Sequence, residues 1–176
     1  MMQNIENDEE IMWAGQFVTA KRRGKWEYVA RSRGIRAAVI LAVDDGHVLL
    51  VEQYRVPLGR NCIELPAGLI GDHDADEDAL TSAARELEEE TGYRAERLET
   101  LGEYFSSPGM LSESFTLVQA HGLTKIGEGG GVDGENIIVH RVALNQLPQF
   151  VATKRKEGCV IDTKLLMLPG MIEFDG

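Results

Sequence analysis

Apolar positions along this chain change their spacing several times, and each change marks an element. Residues 12–20 and 25–33 read as two strands around a basic turn, Lys21-Arg22-Arg23-Gly24, with Trp26 and Tyr28 on one face of the second strand. Ile35–Val43 is a nearly continuous apolar strand; Asp44-Asp45-Gly46 is a turn signal, and His47–Tyr54 completes a hairpin. Cys62–Leu65 is a short strand stopped by Pro66, and Gly68 and Gly71 bracket a loop. From Glu77 to Thr91 the period becomes helical, with Ala79, Leu80, Ala83, Ala84 and Leu87 on one stripe. Asp74, Asp76 and Glu77 crowd its start, where the helix dipole favours anions, and Gly92 sits where a C-terminal glycine closes a helix. Strands follow at 95–104, 113–121 and 135–142, with a glycine-rich loop at 127–131 before the last. Helices are expected at Leu144–Glu157 and Ile161–Leu168. Strands outnumber helices and the helices are segregated, so the class is α+β.

Charge sharpens this picture through its distribution. The 176 residues suit one domain with a small appendage, and the formal net charge is −11. Residues 71–93 hold nine acids against Arg85 alone, whereas residues 21–36 hold seven bases against Glu27. The acidic balance weighs against a nucleic-acid groove or an anionic membrane surface as partner. The polar, acidic start does not read as a secretory signal or transit peptide, and the longest apolar runs fall far short of the ~20 residues of a membrane helix. Cys62 and Cys159 form no metal spacing and read as two reduced thiols in a cytoplasmic protein.

The helix near residue 85 carries the candidate chemistry. At helical spacing Glu86 and Glu90 lie about 40° apart, Glu89 is on the same side and Glu88 points away. Like charges at that spacing destabilise a helix by a few tenths of a kcal/mol per pair. Either the strip is a solvated acidic face, or a cation compensates it; carboxylate-only ligands suit Mg²⁺ or Mn²⁺. An EF-hand reading of Asp72-x-Asp74-x-Asp76 fails, because its sixth and twelfth positions are Glu77 and Ala83 rather than Gly and Glu.

A longer pattern embeds the carboxylates. Gly71, Glu77 and Arg85-Glu86-Leu87-x-Glu89-Glu90-x-Gly92-Tyr93 together resemble the Nudix box, with Tyr93 in place of the usual aliphatic residue. The resemblance implies the Nudix fold, mixed β-sheets sandwiched between helices, and hydrolysis at the diphosphate of a nucleoside diphosphate linked to another group. It implies Glu86 and Glu90 as main metal ligands, Glu89 close by, the Ala67 carbonyl as a backbone ligand, Arg85 orienting the carboxylates and Glu77 holding the loop. The metal would be Mg²⁺, with Mn²⁺ as the substitute.

Further segments resemble the ADP-ribose pyrophosphatase branch: Glu52-Gln53-Tyr54-Arg55, Glu64-Leu65-Pro66-Ala67-Gly68-Leu69, and Ser107-Pro108-Gly109 with Pro108 fifteen residues after Tyr93. On that resemblance the substrate is ADP-ribose, with GDP-mannose, ADP-glucose or a non-catalytic nucleotide-sensing role as alternatives. Arg55 would fork onto the diphosphate or pair with an acid such as Glu52. Glu64 is either an active-site acid or a solvated strand end, and Glu113 would contact substrate. The general base would be Glu135, ahead of Glu128, in a glycine-rich loop that closes over the site. Residues 1–34 would form an N-terminal antiparallel β segment, exchanged between two subunits of a homodimer, and residues 35–176 the hydrolase domain. Trp26, Tyr28 or Phe17 would then stack on a base or pack at the interface.

Overall fold

The computed structural model describes residues 9–32, 35–70, 78–132 and 134–168. Three strands, β1 (Glu9–Ala14), β2 (Val18–Arg23) and β3 (Trp26–Arg31), form a separate antiparallel sheet in that order. The expected strand over 12–20 is thus two strands with a bend between them. Lys21–Arg23 belong to β2 rather than to the turn, which falls at Gly24-Lys25. Pairing with acids of β1 keeps these bases in the ladder: Lys21 and Arg23 meet Glu9, and Arg22 meets Glu10.

The remaining strands make one forked array. β4 (Arg36–Asp44) and β5 (His47–Arg55) meet through Val43 and Val48 at their shared turn and then diverge. β4 continues between β7 (Ala67–Ile70), antiparallel, and β9 (Phe115–Lys125), parallel, and β9 pairs with β8 (Tyr93–Tyr104). β5 continues between β6 (Arg60–Glu64) and β10 (Ile138–Ala143), and β6 pairs with β11 (Val160–Ile161). Helix α1 (Ala79–Glu86) runs into a π-helical turn (Leu87–Thr91), and α2 (Leu147–Lys156) precedes β11. Two expectations change. The Gly68 loop is strand β7, and the third helix is β11 plus a 3₁₀ segment (Thr163–Met167).

Alternate residues of β4 feed two cores, which explains its continuous apolar run. Ala38, Ile40 and Ala42 pack with Leu49, Ile70, Val118, Ala83 of α1 and Leu87 of the π turn. Val39 and Leu41 pack with Leu50, Ile63, Leu117, Leu147 and Leu165 on the other side. Within α1, Ser82 is buried and Leu80 is exposed, so the buried stripe is rotated toward the carboxylates relative to the sequence expectation. Asp78 caps the helix, accepting from Leu80 N and Thr81 N. Gly71, Asp72, Asp74, Asp76 and Glu77 lie outside the described residues. Among the described residues no helix is long and apolar enough to cross a membrane.

A buried polar knot ties β5, β6, β10 and α2 together. Glu52, 6% exposed, accepts from Asn61 Nδ2 at 2.9 Å, faces His140 Nε2 at 3.0 Å and meets Lys154 Nζ at 2.9 Å. Burial pushes the Glu52 carboxyl up, but hydrogen bonds from Asn61, Lys154 and His140 outweigh it and hold the group at about 2, against an ordinary 4.5. Its contribution is therefore complete above the ordinary value and is lost as pH falls from there through the depressed one. Glu52→Gln should lower unfolding free energy by about 3 kcal/mol at neutral pH. In urea denaturation, the gap to wild type should close as pH falls from about 5 toward about 2.

Candidate active site

The carboxylates of the α1 helix and its π turn lie against the backbone of β7. Glu90, 5% exposed, accepts from Ala67 N at 3.0 Å. A Cβ on Gly68 would stand 1.9 Å from Cδ of Glu86, so the absence of a side chain there lets the Glu86 carboxyl lie across the strand. The π turn widens the backbone after Glu86, so the angles expected from uniform helical spacing do not hold there. Arg85 Nη1 bridges Glu86 Oε1 at 2.9 Å and Glu89 Oε2 at 3.1 Å. Glu88 turns away, as expected, and pairs with Arg94.

A cleft of ≈ 690 Å³ opens beside them. Arg55, Glu64, Ala67, Arg85, Glu86, Glu89, Glu90, Glu113 and Glu135 all line it. Arg55 does not pair with Glu52; it forks onto Glu64 with Nε–Oε1 2.6 Å and Nη2–Oε2 2.7 Å. Glu64 is therefore a buried partner in the cleft and not a solvated strand end. Glu113 is paired with Arg31 of β3, which brings the N-terminal sheet to the rim of its own chain's cleft.

Trp26 and Tyr28 do not join this cleft. They line a separate cavity with Phe105, Pro108 and Leu111, and the Tyr28 hydroxyl donates to Glu9. The reason is register: β3 docks through Val29 onto the 110–112 backbone, with Val29 N–Met110 O at 2.9 Å and Ser112 N–Val29 O at 3.0 Å. That leaves Arg31, rather than the aromatics, facing the carboxylates.

The glycine-rich loop differs from a free lid. Ile126 N and Gly127 N donate to Gly92 O, Gly130 N to Glu90 O at 2.9 Å and Gly131 N to Glu89 O at 3.0 Å. These bonds satisfy carbonyls that a helix end leaves without partners. Gly129, at φ +67°, passes so close that a Cβ would meet Thr91 C at 2.4 Å. The first half of the loop is thus fastened to the carboxylate-bearing turn. Beyond it, Glu135 reaches the cleft, its Oε2 accepting from Val132 N at 2.9 Å. Glu128 instead pairs with Lys125 and is absent from the cleft lining. Asp133 lies outside the described residues.

The electrostatics favour a cation. Burial pushes the Glu90 carboxyl up to about 8; the Ala67 N–H opposes this, and the Glu86 and Glu135 carboxylates add to it. Glu86 is also raised, by burial, against the pull of Arg85. Hard oxygen donors held this close in a low dielectric fit a divalent ion, which would favour their charged forms. Among the described residues no three His, Cys, Asp or Glu groups are already gathered into a metal-holding set. Glu86 and Glu89 each keep a second carboxylate oxygen outside the Arg85 contact. Sequence reasoning missed Phe115, Val132 and Lys164 as cleft residues. No motif marks them; Phe115 opens β9, Val132 lies in the loop before β10 and Lys164 in the 3₁₀ segment, far apart in sequence.

The chain belongs to the Nudix family: residues 32–158 match the NUDIX domain. It is 37% identical over 119 residues to the methanol dehydrogenase activator of Bacillus methanolicus, covering 67% of this chain and 63% of that protein. It is 33% identical over 118 residues to an ADP-ribose pyrophosphatase of Bacillus subtilis (strain 168), covering 66% of this chain and 62% of that protein. In both, the match spans less than two thirds of the relative's length. The fold is that of a solved structure described as an ADP compounds hydrolase, at TM-score 0.65 and 22% identity over 82% of this chain and 80% of that one.

Gly68→Ala tests the contact between β7 and Glu86. The atoms in its way belong to a flexible side chain, so the fold should survive with an unfolding free energy within about 1 kcal/mol of wild type. Mn²⁺ affinity by isothermal titration should nevertheless fall at least about tenfold, because Glu86 is displaced. Unchanged Mn²⁺ affinity would remove Glu86 from the ligand set.

Proposed function

We propose that this protein is a Mg²⁺-dependent hydrolase of ADP-ribose, cleaving its diphosphate with water to give AMP and ribose 5-phosphate. The observation that carries this reading is the single cleft in which the box carboxylates, the Arg55–Glu64 fork and Glu135 meet. Glu86, Glu90 and Glu89, with the Ala67 carbonyl, would hold the ion; Mn²⁺ suits the same oxygen donors. When bound, it supplies charge neutralisation for the diphosphate and a lowered pKa for the attacking water. Arg85 orients Glu86 and Glu89. Arg55 exchanges the Glu64 carboxylate for phosphate oxygens, which have the same bidentate geometry. Glu135 accepts the proton of the attacking water, and Glu113 contacts substrate beside Arg31. The names of relatives that act on ADP-ribose support the nucleotide, and the free thiols Cys62 and Cys159 support a reducing, cytoplasmic setting.

The chain divides, on this reading, into a β segment at 1–34 and the hydrolase domain at 35–176, and it works as a homodimer with exchanged N-terminal strands. Support comes from the separate β1–β3 sheet and its exposed Ile11, Trp13, Phe17 and Trp26. Trp26 and Tyr28 would then serve the partner's site. Light scattering should give twice the chain mass, and a fully active monomer would remove the exchange.

The activity test is a panel of nucleoside diphosphate sugars with Mg²⁺, scored by phosphate released after phosphatase treatment. ADP-ribose should be preferred. Better turnover of GDP-mannose or ADP-glucose would move the protein to a broader sugar specificity, and no turnover at all would favour nucleotide sensing. In the same assay Glu135→Gln should lower kcat by about 10²–10⁴ with little change in KM. Near-full turnover would exclude Glu135 as the base.

A further inference from the structure

Among the described residues four cations line the cleft: Arg31, Arg55, Arg85 and Lys164. Each arginine is bonded to a glutamate that lines the same cleft: Glu113, Glu64, and Glu86 with Glu89. Their charge is matched inside the site. Lys164 differs, because its partner, Asp162, is not part of the lining.

The local structure fixes this lysine before anything binds. Asp162 caps the 3₁₀ segment, accepting from Lys164 N at 2.7 Å and from Lys164 Nζ at 2.8 Å. The ammonium stands 5.6 Å from the centre of the Phe115 ring, and Phe115 itself stacks on Tyr104 at 5.9 Å. On one side β11 pairs with β6; on the other, Leu165 and Leu168 are buried in the core. The side chain is only 17% exposed. A lysine so placed has lost its rotamer freedom during folding, so a ligand that meets it bears little ordering cost. Its charge also offsets a lining that is rich in carboxylates.

We propose that Lys164 is a substrate-binding cation that donates from Nζ to an oxygen of the phosphate linkage. This rests on the diphosphate reading above. An ammonium is a point charge with rotatable donors, so the contact is made in both ground state and transition state and belongs to KM rather than kcat.

The test compares wild type, Lys164→Ala, Lys164→Met and Lys164→Arg on the panel substrate that the wild type hydrolyses best. Met keeps an unbranched stem on Phe115 while removing the charge, and so guards against a loss due to packing. Ala and Met should raise KM about tenfold while kcat stays within about threefold, and Arg should recover most of the loss. The KM gap should narrow as salt rises from about 0.05 to about 0.5 M. An unchanged KM in the Met variant, or an Arg variant as impaired as the Met variant, overturns the assignment. If wild type hydrolyses nothing on the panel, the diphosphate reading fails by itself. Calorimetric titration with inorganic pyrophosphate then decides for Lys164: weaker binding to the Met variant sustains it, and equal binding overturns it.

Discussion

The structure turns on the contact between a carboxylate-bearing helix and the backbone of β7. Glu90 is buried with the Ala67 N–H as its hydrogen-bond donor, and Glu86 lies where a side chain at residue 68 would stand. A short strand without a Cβ at that point brings two acids against a sheet edge. The π turn and the loop at 126–131 then follow from the need to close the same helix end. Its carbonyls at Glu89, Glu90 and Gly92 receive the loop's N–H groups. Glu135, which follows this loop, lines the same cleft as those carboxylates.

The cleft is a set of ion pairs poised for exchange. Among the described residues, six glutamates against four cations leave the lining net negative when all are ionised, which would repel a diphosphate. A divalent ion would neutralise that excess. The arginines would release glutamates as they meet phosphate oxygens, and the closed pairs keep them solvated by protein until then. The Glu52 knot lies outside this exchange. It fastens strands on either side of β5 to α2 with buried hydrogen bonds, and its partners leave it ionised across the ordinary pH range.

Much of this was legible in the sequence where local rules decide. The β4–β5 hairpin, the helix ending at Gly92 and the carboxylate strip follow from periodicity and turn chemistry. Arg55 and Glu64 were singled out separately, but their bidentate pairing depends on β5 and β6 lying side by side. β7 was hidden because Ala67–Ile70 carries glycine and follows proline, both poor strand signals; its strand character comes from pairing with β4. The π turn was hidden as well, since no residue type demands it. Trp26 and Tyr28 show the limit of aromatic reasoning: alternation gave them a shared face but could not say which cavity that face would meet. Lys164 lies in a stretch whose periodicity suggested a helix, and only the β6–β11 pairing carries it to the cleft.

The central claim is that Glu86 and Glu90, pressed onto β7, form the metal site of a diphosphate hydrolase. Anomalous diffraction from a crystal soaked in Mn²⁺ tests it most directly. The account predicts a manganese peak within coordination distance of Glu86, Glu90 and the Ala67 carbonyl. Manganese bound only elsewhere would contradict it.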